Sequence, residues 1–422
     1  MKIAVVGTGY VGLTTALLFA KLGHDVLAID VDEEKVNKIN KGSVPIYEPG
    51  TEDLLRNHVG KNLRASSQYN IEDRDIIFIS VGTPSREDGS METKYLEEAA
   101  RSIGEKLRRG MIVVVKSTVV PGTTENLVIP ILEEESGMER GEFGVAMNPE
   151  FLREGLAIYD TFHPDRIVIG ELDKKTGDVL EKLYKPLGAP ILRTSIRVAE
   201  MIKYASNAFL AMKISFANEI ANICERIGVD VYEVMKGVAM DHRISPHFLN
   251  AGAGFGGSCF PKDVKALITL AKSLGYEPKL LQDILAINEY QPRHVVELAE
   301  KHYGSLKGAK IALLGLAFKP NTDDVRETRA LPIVKTLLEK GARVIAYDPK
   351  AMDNFRKLVP NIDYASSAEE ALMDADIAII QVDWEEFRHI DFDAYTNLKL
   401  VVDGRRTVRP KRVKYVAIGR GD

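Results

Sequence analysis

Cysteine is scarce. The 422 residues hold two, Cys224 and Cys259. Two thiols cannot build a disulfide framework, and no Cys/His spacing suggests zinc, so no metal is expected. An excess of positive charge is also absent. The formal net charge is -5, which excludes a broad basic field for nucleic acid. The small cluster Arg409, Lys411, Arg412 and Lys414 reads as a solvated edge. No apolar run reaches the roughly 18 residues that a membrane helix needs. Met1–Gly7 is apolar but runs straight into a glycine motif, so it reads as a strand and not as a signal peptide. These absences point to a reduced, soluble, cytoplasmic protein with no membrane or nucleic-acid partner.

What is present has the rhythm of an α/β chain. Ile3–Val6 is an apolar strand, Leu13–Leu22 a helix ending at Gly23, and Asp25–Asp30 the next strand. Asp75–Ser80, Ile112–Lys116 and Gly144–Met147 are further strands. Strands separated by helical stretches imply right-handed crossovers and a parallel sheet. Between Ser195 and Gly228 the pattern changes. Val198, Met201, Ile202, Ala205, Phe209, Met212, Phe216 and Ile220 repeat at helical spacing. That helix outruns one domain and reads as a spine between two sheets and a dimer surface. Alternation returns with strands at Lys310–Leu314, Arg343–Tyr347, Ile377–Gln381 and Leu400–Val402, and a helix at Leu331–Lys340. Arg74–Ile79 is echoed by Ala375–Ile380. The expected architecture is two doubly wound Rossmann-like domains, residues 1–195 and 301–422, joined through a central helical region, 196–300. The turn Gly315–Lys319 of the second domain lacks the three-glycine fingerprint, so any nucleotide there is held by different contacts.

Gly7, Gly9 and Gly12 stand between a strand and a helix. The first allows a tight turn, the second admits a pyrophosphate, and the third lets helix pack on strand. Asp30 follows at about the ~20-residue distance expected of a ribose-binding acid. A carboxylate there disfavours a 2′-phosphate, hence NAD. The plainer reading of Asp30 is a helix cap or a turn aspartate, which Asp32 can supply instead. Lys35 reads as a solvated helix residue.

Cys259 lies in Gly254–Asp263, just before a helix that Pro261 suits as first residue. Peptide dipoles and Lys262 favour a thiolate there, and Gly254, Gly256 and Gly257 clear its approach. Cys224, on the long helix, reads as a small core residue. Lys203 and Asn207 share a helix face; they are either an oxyanion-holding pair or a snorkelling lysine with a polar neighbour. Glu150 and Glu154 either act in catalysis or charge the first turn of a helix. Ser117-Thr118 ends a strand at a ligand-binding edge, with capping as its default role.

With these residues assembled, the chain resembles the UDP-glucose/GDP-mannose dehydrogenase family, on the side of the UDP-glucose 6-dehydrogenases, over essentially its whole length. The resemblance rests on Gly7–Gly12, Val81–Pro84, Lys116–Thr118, Asn148–Gly155, Glu200–Asn207, Gly254–Asp263 and Asp403–Arg406. It implies an NAD-dependent, four-electron oxidation of UDP-glucose to UDP-glucuronate through a thiohemiacetal and a thioester on Cys259. Lys203 and Asn207 would hold oxyanions, and Asp263 would position Lys203 and a water. Glu150 would serve as base, with Thr118 holding the hydrolytic water. NAD would meet Val11, Asp30, Lys35, Thr83, Thr118, Glu154, Lys262 and Arg326 as well as the glycines. The UDP-sugar would meet Glu150, Phe151, Leu152 and Arg153, then Lys203 and Asn207. It would also meet Phe248, Leu249, Asn250, Gly252 and Gly256, and finally Phe318, Lys319 and Arg405. Arg243 would reach the partner subunit's substrate in a homodimer, or else form an exposed salt bridge. Gly82 stands where relatives carry a larger residue, and Thr328 where serine is common. Three rivals remain: a UDP-N-acetylhexosamine 6-dehydrogenase, a two-electron 3-hydroxyacid dehydrogenase with no use for Cys259, and a nucleotide-binding protein without catalysis.

Overall fold

The computed structural model describes residues 1–421. They form two compact units, Met1–Ser206 with Lys265–Leu270, and Asn207–Val264 with Ala271 onward. The long helix Ile196–Ile227 gives its first turns to one unit and the remainder to the other.

The first unit is built on eight strands: β1 (Lys2–Val6), β2 (Asp25–Ile29), β3 (Leu63–Ser66), β4 (Ile76–Ile79), β5 (Ile112–Val115), β6 (Gly144–Met147), β7 (Ile167–Glu171) and β8 (Ile191–Ser195). Their order is β3-β2-β1-β4-β5-β6-β7-β8. Central strands such as Ile76–Ile79 are apolar at every position because both faces are covered. Alternation sends Ala4 and Val6 into one core and Ile3 and Val5 into the other. All neighbours pair in parallel except β6 with β7. The sequence pattern implied only parallel pairing, and strand direction at that edge is set by packing rather than by composition.

The second unit carries β9 (Lys310–Leu314), β10 (Arg343–Tyr347), β11 (Asp363–Tyr364), β12 (Ile377–Ile380), β13 (Leu400–Asp403) and β14 (Lys414–Ala417). The order β11-β10-β9-β12-β13-β14 repeats that of the first six strands, so both units have the doubly wound order of nucleotide-binding sheets. The repeated segments Arg74–Ile79 and Ala375–Ile380 contain β4 and β12, each hydrogen-bonded beside the first strand of its own sheet.

In both sheets the strand order reverses beside that first strand, which opens a crevice at the carboxyl edge. In the first unit the glycine turn occupies it. Gly7 has φ +93°, and a Cβ on it would lie 2.7 Å from the Ser80 carbonyl oxygen. A Cβ on Gly12 would lie 1.8 Å from the Gly7 carbonyl oxygen. Gly9 differs: a Cβ there would meet nothing within 4 Å. The fold needs Gly7 and Gly12, whereas the bareness of Gly9 serves what enters the crevice. Gly9→Ala therefore keeps the wild-type thermal midpoint but weakens NAD binding by at least about ten-fold, whereas Gly12→Ala lowers the midpoint. Calorimetry and fluorescence titration with NAD check both; an unaltered NAD affinity in Gly9→Ala contradicts the reading.

Candidate active site

In the first unit, Asp30 follows β2 and is nearly buried. One of its oxygens accepts the Thr8 amide at 2.8 Å and the Thr8 hydroxyl at 2.6 Å, and the other accepts the Asp32 amide at 3.0 Å. Burial pushes its carboxyl up, but these hydrogen bonds and Lys35 outweigh that and hold it below the usual range. Asp32 caps the following helix through the amides of Glu34 and Lys35, so helix capping does not explain Asp30, although its bond to the Asp32 amide does make it a turn aspartate. Lys35 sits 3.9 Å from the Asp30 carboxylate. Ser80, beside Gly7, has a buried hydroxyl with no hydrogen-bond partner among the described residues. An acid after the second strand and open space over Gly9 together fit a bound dinucleotide. Val11 lies in the helix that opens there. The Thr83 hydroxyl donates to the Thr118 carbonyl at 2.9 Å, which brings two of the expected cofactor contacts together.

The second sheet shows why sequence reading found no fingerprint there. Asp348 follows β10 as Asp30 follows β2. Its carboxylate accepts five protein donors: the amides of Leu316, Ala317, Lys350 and Ala351 and the Trp384 indole, at 2.7–3.0 Å. An acid saturated from within has no capacity left for a ribose.

Glu150 lies just beyond β6, and its oxygens accept the Lys203 ammonium at 2.9 Å and the Leu152 amide at 2.6 Å. Both side chains of this ion pair are at most 7% exposed. Burial pushes the Glu150 carboxyl up, but Lys203, the Leu152 amide and Lys116 more than offset it, so the group stays ionised. The next helix begins only at Ala157 and is served by Glu48, which accepts the Gly155 and Ala157 amides. Neither Glu150 nor Glu154 charges that first turn. Phe151 packs under the Arg166 guanidinium at 3.8 Å and the Lys203 ammonium at 5.4 Å. Leu152 is half-buried. Arg153 is exposed and paired with Asp160 at 2.6 Å.

In the second unit, the Asn207 amide donates to Asp263 at 2.6 Å, and Lys262 pairs with the other Asp263 oxygen at 2.6 Å. The lysine expected to favour a thiolate therefore has its charge engaged by a carboxylate. The helix Phe260–Ser273 starts one residue before the expected Pro261, which leaves Cys259 directly ahead of it. The Cys259 carbonyl accepts the Asp263 amide at 2.8 Å, and its sulfur lies 3.6 Å from the Ser258 hydroxyl. Cys259 is half-buried. Cys224 is buried in the core, where burial pushes its thiol up. The two cysteines thus divide into a reachable thiol and an inert one.

The glycines around Cys259 are packing requirements. A Cβ on Gly256 would lie 2.3 Å from the Glu327 carbonyl oxygen, and one on Gly257 2.7 Å from the Phe318 ring. A Cβ on Gly252 would meet the Gly404 carbonyl oxygen at 2.6 Å. The Arg405 guanidinium donates to the Gln381 and Gly254 carbonyls at 3.1 and 2.9 Å. Arg326 pairs with Asp324, and its carbonyl accepts the Gly257 amide. Six expected substrate contacts, Gly252, Gly256, Phe318, Lys319, Leu249 and Arg405, thus lie with Cys259 in one unit. Phe248 has φ +63° and sets its ring edge-on to Phe260; Asn250 is exposed. Arg243 is exposed and paired with Asp241, as its plainer reading expected.

Sequence reasoning gave Lys116 no role beyond its place in the Lys116–Thr118 motif, and missed Tyr184 and Arg166. Lys116 and Tyr184 both donate to the Asn148 side-chain oxygen, at 2.9 and 2.6 Å. The available signal was a lysine directly after the apolar run Ile112–Val115.

Three family descriptions match this chain: the NAD binding domain of the UDP-glucose/GDP-mannose dehydrogenases over residues 1–188, their central domain over 197–290, and their UDP binding domain over 312–410. A UDP-glucose 6-dehydrogenase of Haloferax volcanii is 47% identical over 97% of each chain. A UDP-glucose dehydrogenase structure from Pyrobaculum islandicum is 43% identical, with TM-score 0.93 over 99% of this chain and 98% of the other. A UDP-D-ManNAc dehydrogenase structure from Pyrococcus horikoshii is 32% identical, with TM-score 0.91 over the whole of both chains. No helix among the described residues is long and apolar enough to cross a membrane. Matching domain descriptions in the same order along the chain, joined to the glycine crevice and the cysteine-led helix, lead to one conclusion: this chain belongs to the UDP-glucose/GDP-mannose dehydrogenase family.

Proposed function

We propose that this protein is an NAD-dependent UDP-glucose 6-dehydrogenase of the cytoplasm that carries the sugar C6 from alcohol to carboxylate through a covalent bond to Cys259. The observation that carries this reading is the Asn207–Asp263 hydrogen bond of 2.6 Å. Asn207 stands one helical turn after Lys203, and Asp263 stands in the first turn of the helix that Cys259 precedes. The bond thus ties the polar turn of the long helix to the thiol-bearing one.

NAD, held by the glycine turn, Asp30, Thr83 and Thr118, supplies the hydride acceptor for both oxidations. The residues of the chain do the rest. Once C6 is an aldehyde, the Cys259 sulfur bonds to it and makes a tetrahedral thiohemiacetal, a centre able to lose a second hydride. The carbonyl oxygen becomes an oxyanion, and the Lys203 ammonium and Asn207 amide donate to it. An ammonium has three N–H donors, so Lys203 can hold Glu150 and the oxyanion together. Oxidation leaves a thioester. Glu150 then takes a proton from a water held at Thr118, the water oxygen bonds to the thioester carbon, and the carbon–sulfur bond breaks to release the carboxylate and the thiolate. Each sugar consumes two NAD+ and one water. Lys319 and Arg405, in the unit whose relatives are described as UDP-binding, suit the diphosphate.

The identity of 47% and 43% to two proteins named for UDP-glucose, against 32% to a structure named for UDP-D-ManNAc, favours glucose. In the central region, residues 196–300, Phe209, Phe216 and Ile223 repeat every seven residues on one helix face and are 58%, 48% and 50% exposed. Large apolar side chains left uncovered in a stripe mark an interface, and we assign it to a second copy of the chain.

Two measurements test this reading. Glu150→Gln slows hydrolysis and should trap the thioester, so mass spectrometry after UDP-glucose and NAD should show the sugar nucleotide on Cys259. Cys259→Ser should lower turnover to acid by roughly a thousand-fold, and wild-type kcat/KM for UDP-glucose should exceed that for UDP-N-acetylmannosamine by about ten-fold or more. Full activity in Cys259→Ser contradicts the mechanism. For the assembly, light scattering should give the mass of two chains for the wild type and of one for Phe216→Glu; a wild-type monomer refutes the dimer.

A further inference from the structure

One strand of the first sheet runs backwards, and the reversal delivers a cation to the candidate site. β7 pairs antiparallel with β6, with Ala146 opposite Glu171 and Met147 opposite Gly170. A parallel neighbour would present its last residues at the carboxyl edge; β7 presents its first. Followed four residues beyond Met147, the same register brings Phe151 opposite Arg166, the residue just before β7. The side chains meet as that register requires. The Arg166 guanidinium lies 3.8 Å from the centre of the Phe151 ring.

Arg166 is half-buried. It also donates to the Ser206 hydroxyl at 3.2 Å, and that hydroxyl donates to the Ile202 carbonyl, one turn earlier in the long helix, at 2.7 Å. No carboxylate pairs with Arg166 among the described residues, so the ring and the hydroxyl set its place. A flat guanidinium suits both, since its face takes the ring while an edge N–H takes the hydroxyl. The turn it grips, Ile202–Ser206, includes Lys203, whose ammonium is 5.4 Å from the centre of the same ring. All of these residues belong to the first unit.

Residues 148–153, which follow β6, are neither helix nor strand. Such a stretch has no ladder of backbone hydrogen bonds to hold it, so side chains must. Glu150 ties it to Lys203, and Phe151 ties it to Arg166. We propose that Arg166 is a positioning residue for the reaction: by pinning Phe151 to the turn of the long helix that bears Lys203, it fixes the segment carrying Glu150 against that ammonium. Arg166 does not touch the sugar in this scheme and acts through the Phe151 ring. The role rests on Glu150 as base and Lys203 as oxyanion holder in the reading above. Displacing such groups by about an ångström costs rate, because they act on the reacting carbon and not on the distant nucleotide.

The experiment measures kcat and KM for UDP-glucose in the wild type, Arg166→Met, Phe151→Leu, the double variant and Glu150→Gln, with thermal unfolding to establish that each is folded. Arg166→Met should lower kcat roughly ten-fold or more and leave KM within about two-fold. Phe151→Leu should lower kcat as well. The double variant is decisive. If the guanidinium acts through the ring, the second substitution has nothing left to remove, and the double variant should be no slower than the slower single one. Losses that multiply overturn the proposal. So does wild-type kcat in a folded Arg166→Met or Phe151→Leu, or an Arg166→Met in which only KM rises. If Arg166→Met does not fold, Arg166→Lys replaces it, keeping the charge without the flat face; its loss should again fail to multiply with that of Phe151→Leu, and multiplied losses overturn the proposal. Full turnover in Glu150→Gln refutes Glu150 as the base instead, while the coupling of Arg166 to Phe151 is read from the other variants.

Discussion

The buried ion pair between Lys203 and Glu150 is the constraint from which the rest of the site follows. Neither side chain is more than 7% exposed. Removing one partner of such a pair leaves a charge stranded away from water, at a cost of about 3–5 kcal/mol. That penalty fixes the rotation of the long helix against the end of β6. Further along the same helix, in the second unit, Asn207 donates to Asp263. The glycine-rich stretch before Cys259 then needs only its close packing against Phe318 and Glu327 to hold the thiol ahead of its helix.

Two sheets with the same strand order have been put to different uses. The acid after the second strand is the clearest mark of this. Asp30 takes three donors from its own turn and the next residues, in a crevice that still holds bare backbone at Gly9. Asp348 takes five donors and closes its turn. Identical topology therefore says little about ligand; the hydrogen-bond capacity left at the carboxyl edge says more.

Much of this was legible in the sequence because it depends on local chemistry. The glycine turn, Asp32 as the cap that sets Asp30 apart, the span of the long helix, and Cys259 ahead of a helix are each decided within a few residues. The reversed β7 and the short edge strands β3, β11 and β14 escaped detection, since direction and edge pairing are settled by neighbours distant in sequence. The long helix has the extent that its periodicity predicts. Its expected apolar stripe, with Val198, Met201, Phe209 and Phe216, faces outward in the single chain. Its covered face carries Glu200, Lys203, Asn207, Ser215 and Asn218 among alanines. Periodicity finds a helix but cannot say which of its faces the rest of the chain covers. Lys116, named only as part of a motif, has no role in the sequence reading for a related reason: lysine at a strand end is ordinarily a surface residue, and only the packed structure shows it buried.

The central claim is that Cys259 keeps the sugar on the enzyme between two oxidations. Its most direct test is the ratio of NADH formed to UDP-glucose consumed under single-turnover conditions with NAD in excess. The account predicts two NADH for each UDP-glucose, with no free aldehyde at any time. One NADH per sugar, with aldehyde released to solution, would contradict it.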